Sequence, residues 1–326
     1  MKSEPISFDP HIRLIHLRKD LFPVADLVEL CFAEHMDSEG RAYLRHVRSS
    51  ARDENSLYLD ATAPETSQIP FHGFVWEEDG KIIGNVTLIY TNKRNQPLYF
   101  IANVAVHPDH RGRGIGKQLT QRAIQHVLDH DGNSVILQVR EDNPSAIHIY
   151  ESLGFTEINR RTTWVWNGKV RPKLALAEGV RLRRRKPEDW PQERLWLDSI
   201  YPATVSWFLP FQAKNHEPGF LNGFMRWLDA QSVQFWSVFQ NDTLIGAATL
   251  EGVNPFQDYL WISSSLAYEE TTIQSVMPFL LHRVRRPQKI MVNYPAHRAE
   301  AAFTQGGMKV LNTLIWMEKK ITKIEL

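Results

Sequence analysis

The chain has 326 residues, a formal net charge of +1, 43% hydrophobic and 23% charged residues, and one cysteine, Cys31. That length suggests about two domains of ~150 residues; the near-neutral charge excludes an overall pull toward nucleic acid or membrane; one cysteine excludes an internal disulfide and fits a reducing compartment. No run of ~18 apolar residues offers a membrane span, and the first residues, with Glu4 and Asp9, lack an apolar signal core, so a cytoplasmic protein is expected.

In chain order, Ile12–Leu17 reads as a strand, Phe22–Phe32 as a helix and Glu34–Ser50 as another helix. Residues 51–70 are polar, with Pro64 and Pro70, and read as a loop. Phe74–Glu77, Asp79-Gly80 and Lys81–Tyr90 read as a hairpin around an Asp-Gly turn. Asn92–Pro97 is a second turn. It leads into Ile101–Val106, apolar and strand-like, which Pro108 stops.

Arg111-Gly112-Arg113-Gly114-Ile115-Gly116-Lys117 follows, and then Ile115, Leu119, Ala123 and Val127 recur every four residues as one face of a helix. Strand, basic glycine loop and helix N-terminus together make a phosphate site, because inward N–H groups and the helix dipole both favour an anion. A P-loop would need Gly at 111 and Ser or Thr at 118, where the chain has Arg111 and Gln118. A dinucleotide fingerprint would need Gly at 117, which is Lys117. Arg111-x-x-Gly114-x-Gly116 after Val106-His107-Pro108 instead resembles the acetyl-CoA pyrophosphate loop of the GNAT superfamily of N-acetyltransferases.

Asp131-Gly132-Asn133 is turn chemistry, Ser134–Val139 a short strand, and Asn143-Pro144 a helix cap with proline at the first helical position. Ala146, Ile147, Tyr150 and Leu153 keep helical spacing until Gly154 closes the helix. The run from Gln138 to Phe155 is similar to the second signature segment of the same superfamily, in which Asn, Ala, Tyr and Gly-Phe recur at this spacing. The resemblance covers roughly residues 10–166.

Phe155–Trp166 reads as the last strand of this half, and Asn167–Gly179 as a linker. Val180–Lys186, rich in arginine, reads as an edge strand with solvated charges rather than a nucleic-acid patch. It repeats the pattern of Ile12-Arg13-Leu14. Leu244-Ile245-Gly246 echoes Ile82-Ile83-Gly84, Phe303 to Gly307-Met308 echoes Tyr150 to Gly154-Phe155, and the second half ends in a strand at Leu311–Lys319. The chain is thus an internal repeat. The expected fold is α/β (α+β): two tandem GNAT-like domains, 1–170 and 178–326, each a mixed, mostly antiparallel twisted sheet flanked by helices. The second copy has no glycine in 262–278 and is acidic there, at Glu269 and Glu270. It also carries Phe303 in place of tyrosine. It is expected to bind no CoA and to be structural or to help form the acceptor cleft. Trp190, Trp196, Trp207, Trp227, Trp236 and Trp261 read as core.

The resemblance implies an acyltransferase using acetyl-CoA as co-substrate and a small-molecule or protein amine as acceptor, by direct attack without an acyl-enzyme. It implies a pyrophosphate cradle of Arg111, Gly112, Arg113, Gly114, Ile115, Gly116 and Lys117, and pantetheine contacts along Val104, Ala105 and Val106. Asn143 is both helix cap and CoA contact. Tyr150 is the catalytic proton or hydrogen-bond donor to the leaving thiolate, since a phenol near ~10 sits above a thiol near ~8.5. Gln138 stands where ribosomal-protein N-terminal acetyltransferases usually have Glu, so the base is left among Glu34, Asp37, Glu39, His148 or a water chain. A non-catalytic acyl-CoA-binding or sensing protein is the alternative. His107-x-x-His110 and His126-x-x-x-His130 lack a third ligand, and no metal is expected.

Overall fold

The computed structural model describes residues 8–36, 38–51, 72–93, 96–168, 171–173, 176–206, 209–211, 213–219, 232–254, 257–283 and 289–321. The chain forms two compact units: Met1–Ile158 with Trp316–Leu326, and Asn159–Ile315.

In the first unit the elements are β1 (Ile12–Leu14), α1 (Leu17–Phe32), α2 (Ser38–Ser50), β2 (His72–Glu78), β3 (Lys81–Lys93), β4 (Gln96–Val106), α3 (Ile115–Asp129), β5 (Ser134–Arg140) and α4 (Pro144–Ser152). Strands β1 to β4 are antiparallel neighbours, β5 joins β4 in parallel, and the next place after β5 belongs to the C-terminal end of the chain. On one face α1 and α2 bury Leu21, Val24, Leu27, Val28, Leu44 and Val47 against Val75 and Ala105. On the other, α3 buries Ile115, Leu119, Ala123 and Val127, the four residues that the four-residue spacing selects. Burying side chains such as Ile115 and Leu119 contributes about 1.5–3 kcal/mol each. Gly84 is needed for this approach: a Cβ there would lie 2.9 Å from both Ile115 Cγ2 and Leu119 Cδ1.

The second unit repeats the order: β7 (Val180–Arg184), α5 (Trp190–Ile200), α6 (Ala203–Ser206), β8 (Val233–Gln240), β9 (Thr243–Asn254), β10 (Gln257–Ser264), α7 (Glu269–Leu281), β11 (Lys289–Pro295) and α8 (Glu300–Gln305). The repeat extends to detail. The hairpins β2–β3 and β8–β9 each carry a register shift at the same place, after Trp76 and after Val238. Gly84 pairs with Val106, and Gly246 with Ser264. A Cβ on Gly246 would fall 2.5 Å from Thr272 Cγ2, so α7 comes as close to its sheet as α3 does. Each first strand is locked to the segment after it by a bidentate arginine–aspartate pair, Arg13–Asp20 and Arg183–Asp189.

Two strands cross the division. β6 (Thr156–Trp166) passes into the second unit after Ile158, where it pairs with β11; β12 (Lys309–Lys320) passes into the first unit at Trp316. The expected domains, 1–170 and 178–326, follow chain order, whereas the compact units divide the chain inside β6 and inside β12, whose residues 309–315 stay with the second unit. Pairing, not chain order, decides which core a strand completes. α1 also starts five residues earlier than expected, because Asp20, inside the helix, accepts the His16 N–H at 2.7 Å and closes the first turn from within. The expected loop at 52–70 lies outside the described residues.

Candidate active site

β4 is interrupted where the sequence places the start of a ligand edge. Thr87 pairs with Ala102 and Asn85 with Ala105, so Asn103 and Val104 together oppose Val86. This is a β-bulge, and Asn103 takes φ +50°, a left-handed conformation that Asn tolerates better than most residues. The fully buried Asn85 donates its Nδ2 to the Asn103 carbonyl at 2.9 Å and to Thr87 Oγ1 at 3.2 Å. The parallel ladder between β4 and β5 runs from Tyr99↔Val135 to Ile101↔Leu137 and stops there. Beyond Ile101 no further β4–β5 pair forms among the described residues, which leaves the C-terminal ends of the two strands unpaired with each other.

The glycine loop follows directly on the end of β4. The His107 N–H bonds to the Ile83 carbonyl at 2.8 Å, a 3-10 turn spans Pro108–His110, and the Arg111 N–H bonds to the Pro108 carbonyl at 3.3 Å. Gly112 and Gly114 sit at φ +78° and +76°, with open space where a Cβ would be. Their glycines are required by conformation. Gly116 has ordinary backbone angles, and a Cβ there would meet Val106 at 3.6 Å. Among the described residues, the N–H groups of Gly112 through Lys117 have no acceptor within the chain; the first such bond of α3 runs from Gln118 N to Gly114 O at 3.0 Å. A row of unsatisfied N–H groups at a helix N-terminus is an anion site.

The loop's side chains divide. Arg113 is bound in bidentate fashion to Glu78, at 2.6 and 3.0 Å, and touches His110 Nδ1. The Arg113 guanidinium holds the Glu78 carboxyl down at about 2. Arg113 thus braces the loop to the β2–β3 hairpin and leaves only its backbone N–H toward the cradle. Arg111 is exposed, and its Nε reaches the Val106 carbonyl at 3.3 Å, which Cys31 Sγ also approaches at 3.3 Å. Burial pushes the Cys31 thiol up, with Arg111 offsetting part of it. Lys117 is half-buried in the first turn of α3.

Asn143 caps α4 through Oδ1, which accepts the Ala146 N–H at 3.1 Å. Tyr150, seven residues on and so ~10 Å along the helix, is 7% exposed and packs edge-on against Phe155. Burial pushes its phenol up to about 12. No acceptor or donor meets its hydroxyl among the described residues. The structure thus puts the loop and Asn143 at the C-terminal ends of adjacent parallel strands, with Val104–Val106 at the end of β4 that is unpaired with β5. Gln138 on β5 is half-buried, while Glu34 and His148 are exposed. Asp37 and the side chain of Glu39 lie outside the described residues. Among the described residues, no group of three or more His, Cys, Asp or Glu is placed to hold a metal ion, and no helix is long and apolar enough to cross a membrane.

The sequence model described as the Acetyltransferase (GNAT) family matches residues 37–155, and N-alpha-acetyltransferase 30 of Schizosaccharomyces pombe is 30% identical over 102 residues, 31% of this chain and 68% of that protein. The chain belongs to the GNAT acetyltransferase family. Mycothiol acetyltransferases of Corynebacterium kroppenstedtii and Thermomonospora curvata are each 33% identical, over 29% and 36% of this chain. The chain spans only 24% and 38% of their lengths. A crystal structure of a GCN5-related N-acetyltransferase from Sphaerobacter thermophilus matches 96% of this chain and 97% of its own at 16% identity and a TM-score of 0.53, which shows the fold.

The second unit carries the GNAT strand order, with side chains bonded across its counterpart edge. The β10–β11 ladder ends at Tyr259↔Met291. Beyond it, the buried Tyr201 hydroxyl lies 3.4 Å from both the N and the O of Ile262. Those two groups therefore point away from β9, to the β11 side. Arg161, 1% exposed, stacks its guanidinium over Tyr201 and bonds to Asn293 Oδ1, to the Asn293 carbonyl and to the Ile200 carbonyl. Burial pulls its pKa down to about 10. At the helix end, Glu269 is the first residue of α7, and its carboxylate accepts from the Tyr294 hydroxyl and Arg298, each at 2.7 Å. Tyr294 is pushed well above its ordinary pKa by burial and by Glu269. The chain's own carboxylate stands at the helix position where the first unit has glycines.

Four residues escape a reading of the sequence alone: Asn85, Asn103, Glu78 and Cys31. Only Asn103 carries a signal, as an Asn inside an apolar strand run.

Proposed function

We propose that the first unit is an acetyl-CoA-dependent N-acetyltransferase acting on a primary amine by direct attack in a ternary complex. The single observation that carries this reading is the unpaired β4–β5 edge followed by the run of unaccepted N–H groups from Gly112 to Lys117. The cradle fits the pyrophosphate of acetyl-CoA, because Gly112 and Gly114 leave space for a close ligand and Arg111 and Lys117 add charge. Val104–Val106 offer strand backbone to pantetheine amides, and Asn143 lies at the same edge. The amine nitrogen forms a bond to the thioester carbonyl carbon, the C–S bond breaks, and the sulfur leaves as a thiolate. Burial pushes the Tyr150 phenol up to about 12, which makes it a weaker acid than a free thiol and suits it to serve the leaving sulfur as a hydrogen-bond donor. The acceptor's proton goes to water. Gln138, where a carboxylate is common in relatives, favours one second reading, a non-catalytic acyl-CoA-binding protein.

Thiol release from acetyl-CoA with an acceptor panel, from small amines to peptides with free α-amino groups, tests the proposal. Turnover supports it; CoA binding without turnover on any acceptor supports the second reading. Tyr150→Phe should lower kcat ~10²-fold or more while acetyl-CoA binding stays near wild type. An unchanged kcat leaves Tyr150 as packing. The second unit is assigned a structural role.

A further inference from the structure

The two units supply an internal control for the bulge in β4. Counted from the shared turn and the shared pair Gly84↔Val106 and Gly246↔Ser264, Asn85 corresponds to Ala247 and Thr87 to Thr249. In the second unit Ala247↔Ser263, Ala248↔Ile262 and Thr249↔Trp261 follow without interruption. The copy that has the asparagine has the bulge, and the copy with alanine has a straight ladder. The strand order and the early end of the ladder to the next strand are the same in both. The bulge is thus not a requirement of the fold.

Asn85 is also an expensive residue to keep. It is fully buried beside Ala105, on the face covered by the apolar residues of α1, and its Oδ1 has no partner among the described residues. A buried polar atom left without a partner is destabilising, because it gives up its bond to water without replacing it. The amide N–H is used to bind the Asn103 carbonyl, which the inserted residue takes out of the ladder.

We infer that Asn85 is a positioning residue for acetyl transfer: its amide fixes the Asn103 carbonyl and thereby the bulge that sets the backbone of Val104–Val106 along the donor edge. This rests on the acetyltransferase reading of the same site. Asn85 need not touch substrate. Its effect passes through the peptide backbone it holds, and a displacement of about 1 Å near reacting atoms costs on the order of 10²-fold in rate.

The test compares three full-length proteins: wild type, Asn85→Ala, and Asn85→Ala with Asn103 deleted. Thermal melting and steady-state kinetics with acetyl-CoA and the best acceptor of the panel are measured for each. Asn85→Ala should lower kcat on the order of 10²-fold and also raise KM for acetyl-CoA, since Val104–Val106 offer their backbone to the pantetheine. The deletion removes the extra residue and should rebuild the straight ladder of the second unit. It should restore the melting temperature but not kcat. An unchanged kcat in Asn85→Ala overturns the inference. So does recovery of kcat together with melting temperature in the deletion variant, which marks a purely structural role. Wild type without turnover on any acceptor removes the acetyltransferase reading and this inference with it, a result distinct from active wild type with an active variant.

Discussion

The same ordered set of strands and helices is built twice in this chain, with the same hairpin bulge, the same close-approach glycine and the same arginine–aspartate lock. The two copies differ most at the C-terminal ends of their fourth and fifth strands. In the first unit, among the described residues, the backbone donors of 112–117 meet no acceptor and the Tyr150 hydroxyl meets no hydrogen-bond partner. In the second unit side chains bond across the counterpart edge. Tyr201 bonds Ile262, Arg161 bonds Asn293, and Glu269 takes Tyr294 and Arg298. A fold of this kind does not by itself make a ligand site. Leaving polar backbone unsatisfied in the native state is costly, so a copy relieved of ligand binding is expected to satisfy those groups internally, as the second copy does.

The return of the chain's C-terminal end to the first unit gives the comparison its largest test. The first unit takes Trp316 and Met317, both 2% exposed, from the far end of the chain, and the Ile321 N–H bonds to the Asn133 carbonyl at 2.8 Å. Residues 1–170 expressed alone lack these and leave an edge of β5 unpaired. Such a fragment should give no cooperative melting transition. A chain joining residue 158 to residue 316 through a short linker should restore it, because Thr156 Oγ1 already lies 3.4 Å from the Glu318 carbonyl. Circular dichroism melts check both. A fragment 1–170 that folds cooperatively breaks the assignment of β12 to the first core.

The second test asks whether only one copy binds. Gly114→Val forces a β-branched side chain to φ +76° in the cradle. It should weaken CoA affinity ~100-fold or more in titration calorimetry, while Glu269→Ala leaves CoA affinity unchanged. Wild type should titrate at one CoA per chain. Two sites per chain would show that the side chains filling the second copy yield to ligand.

Much of this was readable in the residues. The glycine loop, the Asn143 cap, the helix face of α3 and the repeat itself rest on local chemistry: turns, caps and a four-residue period. The return of residues 316–326 to the first unit was not readable, because pairing partners distant in sequence are chosen in space rather than by local pattern. The bulge was half readable. Asn103 signals an irregular strand, but the residue that holds it, Asn85, lies on the neighbouring strand at a position that reads as an ordinary strand residue. Arg113 looked like a phosphate ligand and turned out to brace the loop, since Glu78 reaches it only through the hairpin. The missing glycines and Glu269 led to the expectation that the second copy binds no CoA, but Tyr201 and Arg161, which bond across its counterpart edge, come from elements with no motif at all.

The smallest test concerns the lock the two units share, and it separates them by a second carboxylate. Burial raises Asp20 and Asp189, but the Arg13 and Arg183 hydrogen bonds and the N–H groups of His16 and Lys186 outweigh it, so both carboxyls lie below the ordinary value. A carboxyl depressed in the folded state stabilises it above the unfolded pKa and loses that contribution as pH falls through the folded value. Urea melts should therefore show stability falling below pH ~4 in wild type, with a shallower acid limb in Asp20→Asn and in Asp189→Asn. At neutral pH each substitution should cost about 1–3 kcal/mol. The two should not be equal. Arg13 keeps a second carboxylate in Glu77, at 2.6 Å from its Nε. Arg183 has only Asp189 among the described carboxylates, and Asp189 also accepts from Ser237 at 2.7 Å. Asp189→Asn should be the more destabilising of the pair. An equal or reversed order would mean that Glu77 does not take over the lock when Asp20 is lost.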